Sequence, residues 1–97
     1  MIKCLVLNRS TYEILYDGLT QSLSGKEFQV MEMLMQQPSV IVTAEQLITH
    51  IWGWETDVDT SVVWVHISNL RKKLAALDCG AEIKFIRSGG YVLEVKE

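Results

Sequence analysis

Thr60-Ser61-Val62-Val63-Trp64-Val65-His66-Ile67-Ser68-Asn69-Leu70-Arg71-Lys72-Lys73-Leu74-Ala75-Ala76-Leu77 is the stretch whose reading decides the fold. Val63, Ile67, Leu70, Leu74 and Leu77 alternate spacings of four and three residues. At about 100° per residue a helix gathers them into one stripe. The spacing predicts a helix over about 60–77, the longest of the chain, with that stripe against a core. Asp57 or Asp59 stands where a carboxylate caps the helix and suits its dipole. Asp78-Cys79-Gly80 ends it.

Ser61, Val65, Ser68 and Lys72 point away from the stripe, bordered by Trp64 and Asn69, with Arg71 and Lys73 on the flanks. A purely solvated face would carry Glu and Lys. This mixture suits a DNA major groove. An amide bonds adenine in bidentate fashion, a hydroxyl serves several bases, and a valine methyl packs on a thymine methyl. The cations would hold phosphates and set register without reading sequence. Trp64 and Val65 also fit a protein contact, because large exposed apolar groups often mark one.

On the C-terminal side, Ile83-Lys84-Phe85-Ile86 and Tyr91-Val92-Leu93-Glu94-Val95 flank Arg87-Ser88-Gly89-Gly90. This reads as a hairpin whose paired glycines supply positive φ. Arg87 at a thin tip can enter a minor groove, where narrowing deepens the negative potential. On composition alone a solvated turn arginine is the simpler reading.

On the N-terminal side two capping boxes announce two helices: Ser24-Gly25-Lys26-Glu27 and Thr43-Ala44-Glu45-Gln46. Phe28, Met31, Leu34 and Met35 follow the first at helical spacing, the methionines as core filler, and Pro38 stops it. Ile41-Val42 is a brief extended link. The second helix runs to about Trp52 with Leu47, Ile48 and Ile51 as its stripe, and Gly53 ends it. Ahead of these, Leu5-Val6-Leu7 and Glu13-Ile14-Leu15-Tyr16, set off by Asn8-Arg9-Ser10 and Asp17-Gly18, read as short antiparallel strands ending near Leu23. The fold class is α+β: an N-terminal antiparallel sheet, three helices and a C-terminal hairpin, within one domain over 1–97.

Ninety-seven residues suit one modest core. With 48% hydrophobic and 22% charged residues the chain is globular, not disordered. The net charge is −3, but three cations face eight carboxylates in residues 1–59 and six face four in residues 60–97. An acidic half and a basic half suggest two faces with different partners. No apolar run is long enough for a membrane span, and no charged-then-apolar leader implies secretion. Cys4 and Cys79 lack metal-ligand spacing and read as idle thiols of a cytoplasmic protein. His50 and His66 are the only histidines. No nucleophile stands with a base and an orienting acid by local spacing, and no phosphate-cradling glycine loop is present, so neither an enzyme nor a metal or cofactor is expected.

The order of elements and several runs resemble the OmpR/PhoB-type winged helix-turn-helix, the output domain of bacterial response regulators in two-component systems. Leu23-Ser24 with Glu27-Phe28, then Pro38, Val42-Thr43, Glu45-Gln46-Leu47 and Ile51-Trp52-Gly53, are similar to its first two helices. Val63, Val65-His66-Ile67 and Leu70-Arg71-Lys72-Lys73-Leu74 are similar to its recognition helix. Ile86-Arg87, Gly90-Tyr91 and Leu93 are similar to its wing. The resemblance implies a transcription regulator whose long helix enters the major groove of double-stranded DNA. Arg87, with Ser88 beside it, would meet the adjacent minor groove. It also implies that Trp52, His66 and Arg71 contact the DNA backbone, and that Trp54, Glu55, Thr56 and Asp57 form a loop touching RNA polymerase. It implies a homodimer on direct repeats, and a receiver domain that is missing here and belongs to a longer protein. A protein-interaction or dimerisation module on the same fold is the rival reading.

Ser61, Ser68 and Asn69 stand where the family often carries arginines, Trp64 where a small acidic residue is common, and Ser88-Gly89 departs from the usual wing. Each phosphate neutralised contributes about −0.9 to the log–log salt slope. DNA affinity measured by anisotropy at several salt concentrations is therefore expected to fall less steeply than for an arginine-rich relative. An equally steep slope would refute this.

Overall fold

The computed structural model describes residues 5–37, 39–53, 59–87 and 89–95. Cys4, Pro38, Trp54, Glu55, Thr56, Asp57 and Ser88 lie outside them. The chain runs β1 (Val6–Asn8), β2 (Glu13–Tyr16), β3 (Leu19–Ser22), α1 (Gly25–Gln36), β4 (Val42–Thr43), α2 (Ala44–Leu47), α3 (Thr60–Leu77), β5 (Ala81–Ile86) and β6 (Gly90–Val95).

The expected long helix is present, and its stripe faces inward: Val63, Ile67, Leu70, Leu74 and Leu77 are all buried. Each such side chain contributes about 1.5–3 kcal/mol by leaving water. Asp59 is the cap, its carboxylate accepting from the Ser61 amide at 2.9 Å. Asp78 closes α3 in the left-handed region, φ 51° and ψ 43°, its amide reaching Leu74 O and Ala75 O.

Both capping boxes form. Glu27 N donates to Ser24 Oγ at 3.1 Å and Ser24 N to Glu27 Oε1 at 2.9 Å. Thr43 and Gln46 repeat the pattern at 3.0 and 2.9 Å. The second helix departs from expectation. Beyond Leu47 it widens into a π turn over Ile48–Trp52, closed by Gly53 N donating to Ile48 O at 2.9 Å. Gly53 takes φ 54°. Ile51 and Trp52 at its end are both buried.

β1, β2 and β3 form an antiparallel meander in that order. It is seated on α1 by Tyr12, which stacks on Phe28 at 5.1 Å between ring centroids. The second sheet has the order β4-β6-β5. The expected link at Ile41-Val42 is thus partly a strand: Val42 pairs with Tyr91 and Thr43 with Gly90. This pairing crosses nearly fifty residues, and no local pattern announces it.

The wing turn also differs from expectation. Gly89 has φ 94°, and its amide donates to Ile86 O at 2.9 Å. Gly90 has no positive φ; it is needed because the neighbouring strand passes too close for a side chain. Between the sheets the core joins Ile14, Met31, Leu34, Leu47, the α3 stripe, Ile83, Tyr91 and Leu93.

Candidate nucleic-acid interface

α3 turns its far side outward. Ser61 and Lys72 are exposed, Val65 is 54% exposed and Trp64 48%, while Ser68 and Asn69 are half-buried beside them. Lys72 forms no ion pair among the described residues. These six of the expected groove-facing residues therefore lie along one side of the helix, with the Ser61 hydroxyl donating to Asp59 Oδ1.

The other expected contacts are placed differently. Trp52 is 6% exposed, and its indole is a packing surface. The His66 ring meets it edge-on at 5.2 Å and 77°, and Lys26 Nζ lies 5.5 Å from its centroid. Lys26 also donates to Ile51 O at 2.9 Å. His66 Nδ1 lies 2.8 Å from Val62 O. A carbonyl can only accept, so Nδ1 bears a proton and donates it there.

Lys73 points inward. Its ammonium donates to Glu27 Oε1 at 2.6 Å. Burial alone would raise the Glu27 carboxyl. The hydrogen bonds from Lys73 and from Ser24 N, with the charges of Lys73 and His66, together outweigh burial and hold it below its ordinary value.

Arg71 bridges helix and wing. Its Nε donates to Ile83 O on β5 at 2.9 Å, and its guanidinium carbon lies 5.2 Å from the Trp64 ring centroid. Burial pushes the nearby Tyr91 phenol up, against the charge of Arg71.

The wing is fixed at its base. Ala44 N, opening α2, donates to Gly89 O at 3.0 Å, and β4 pairs with β6 beside it. Lys84 and Glu94 pair across the hairpin at 2.7 Å. Arg87 is exposed at the turn and forms no ion pair among the described residues.

One feature escaped the sequence reading. Phe85, 54% exposed, continues the inward series Ala81, Ile83 past the edge of the core. It packs on Tyr91 at 5.5 Å and, with Trp64, Ser61 and Thr60, walls an open cavity of about 310 Å³ between α3 and the wing. The strand alternation carried that signal; where the core ends was not legible. Among the described residues no three of His, Cys, Asp and Glu gather as a metal site, and no helix is long and apolar enough to cross a membrane.

Comparison with known proteins bears on this arrangement. The family described as "Transcriptional regulatory protein, C terminal" matches residues 18–93. The heme response regulator HssR of Staphylococcus aureus (strain JH9) is 40% identical over 90 residues, which are 93% of this chain and 40% of that protein. The chain thus spans about 40% of the length of the curated relatives it matches. The DNA-binding domain of CpxR from E. coli superposes with a TM-score of 0.77 at 33% identity, covering 100% of this chain and 96% of that one. The response regulator AdeR DNA-binding domain, solved in complex with an intercistronic region, shares the fold with a TM-score of 0.80 at 23% identity and 95% coverage of both chains. With its capped recognition-type helix, three-stranded wing sheet and family match over residues 18–93, the chain belongs to the OmpR/PhoB-type winged-helix DNA-binding domains of response regulators.

Proposed function

We propose that residues 1–97 act as one domain that binds double-stranded DNA sequence-specifically, with α3 in the major groove and Arg87 at the adjacent minor groove. The observation that carries this is the open far side of α3. There Ser61, Val65, Asn69 and Lys72 offer a hydroxyl oxygen, a methyl surface, an amide and a cation to one line of base edges and phosphates. The 33% identity to the CpxR DNA-binding domain supports it. Trp64 and Ser68 border that line. Arg71 and His66 would meet the sugar–phosphate backbone, and Ser88 the minor groove beside Arg87. Trp52 would support His66 from beneath, and Lys73 would act through Glu27.

The reading extends to the whole regulator. Trp54, Glu55, Thr56 and Asp57 would touch RNA polymerase, two copies would sit on direct repeats, and a receiver domain would precede this one in the cytoplasm. HssR is a response regulator more than twice as long as this chain, which supports a further domain.

The test is selection from random duplexes followed by anisotropy. Asn69→Ala is expected to cost about 1–3 kcal/mol at one base pair and little elsewhere. Lys72→Ala and Arg87→Ala should weaken all duplexes alike, each lowering the salt slope by about 0.9. Unchanged sequence preference in Asn69→Ala would remove that residue from the reading set.

The exposed trio Trp64, Val65 and Phe85 favours a second reading, a dimerisation module with little DNA affinity. Size exclusion and a DNA-shift assay on one sample separate them: a stable protein dimer without DNA affinity supports the second.

A further inference from the structure

Arg9 pairs with Glu32, Lys73 with Glu27 and Lys84 with Glu94. Arg71 is held in another way. A backbone carbonyl takes its Nε–H, and the Trp64 ring, seven residues earlier on α3, covers the guanidinium at 5.2 Å. Seven residues are close to two turns, so the ring and the cation share one side of the helix. A carboxylate partner would cancel the charge of the arginine. A carbonyl dipole and a π face attract it and leave it whole. Among the described residues no carboxylate pairs with Arg71, and its Nη1 and Nη2 groups have no hydrogen-bond partner.

We propose that Trp64 is a positioning residue. Its ring and Ile83 O hold the Arg71 guanidinium, charge intact, with Nη1 and Nη2 presented to one backbone phosphate of the bound duplex. This rests on the DNA-binding reading above. An unrestrained arginine gives up rotamer freedom when it grips a phosphate, and one already clamped gives up less. The half-exposed indole then acts through Arg71; it reads no base.

The test uses Trp64→Leu, which keeps apolar bulk and loses the π face, and Trp64→Phe, which keeps a ring. Each is made alone and together with Arg71→Ala. Affinity for the selected duplex is measured by anisotropy, and the Arg71 δ-methylene protons are followed by NMR in the free protein. Trp64→Leu is expected to weaken binding about threefold. Trp64→Phe should recover most of that, and Trp64→Leu should change nothing further in the Arg71→Ala background. The Arg71 δ protons should be shifted upfield by the indole in the natural protein and return to ordinary values in Trp64→Leu. Equal weakening with and without Arg71 means that the ring meets DNA itself, and overturns the proposal. So does an unshifted Arg71 in the natural protein. A natural protein without affinity for any duplex overturns the DNA reading and the phosphate role with it. The ring-current shift, still present, would then mark that failure as distinct from failure of the clamp.

Discussion

Glu27→Ala is expected to lower the stability of the domain by about 3 kcal/mol, read as a shift of the urea midpoint. The carboxylate is 5% exposed and serves two elements at once. Oε1 closes the N-terminal box of α1 through Ser24 N and receives Lys73 Nζ from α3. Truncation strips the box, typically worth about 1 kcal/mol, and leaves a cation over a cavity. The Lys73 side chain is 27% exposed and can turn to water, so the cost falls at the low end for a broken buried pair. Glu27→Gln separates the two roles. A glutamine closes such a box equally well, as Gln46 does for Thr43 in this chain at 2.9 Å. The amide variant should lose only the charge pairing, about 1–2 kcal/mol at neutral pH. The pH dependence has a definite sign. The folded carboxyl titrates below its ordinary value of 4.5. Its contribution is complete above about that pH and is lost as pH falls through the folded value. The stability gap between the natural protein and Glu27→Gln should therefore narrow below about pH 4.5. A gap that is constant down to pH 3 would mean that Glu27 is not held ionised by Lys73.

Gly90→Val should cost a comparable amount, about 3 kcal/mol, and should also loosen the wing. A Cβ at position 90 would stand 2.5 Å from Ile41 Cγ2 and 3.2 Å from Val42 O. Cγ2 sits at the branch of Ile41 and moves only with χ1, and Val42 O belongs to the backbone of β4. The two strands must separate where Thr43 pairs with Gly90. The contact from Ala44 N to Gly89 O lies one residue away and weakens with them. Because that contact ties the wing to the helices, DNA affinity should fall more in Gly90→Val than in a core variant of equal stability loss. Gly89→Ala is the control. It meets no atom but must hold φ 94°, a conformational cost of about 1 kcal/mol. Equal stability for Gly90→Val and the natural protein, by thermal melting, would show that β4 yields without cost.

Much of this molecule was legible before its structure. The stripe of α3, both capping boxes and the hairpin are written within a few neighbouring residues each, and each appears as read; the cap of α3 was legible only as Asp57 or Asp59, and Asp59 takes it. The far side of α3 was legible for the same reason, since a helix converts spacing directly into direction. The π turn was not, because one extra residue in a turn leaves no mark in the caps or in the apolar spacing. Gly90 was read as a turn residue when its role is steric.

The residue types, their helical faces and the family were determined by the sequence alone, because caps and periodicity act over one to four residues and need no folded partner. Which cation is spent and which is free was decided only by tertiary structure. Lys73 finds Glu27 across 46 positions and Arg71 finds Ile83 across 12. Electrostatics and hydrogen bonding act over a few ångströms of space, and those distances exist only once the chain has closed.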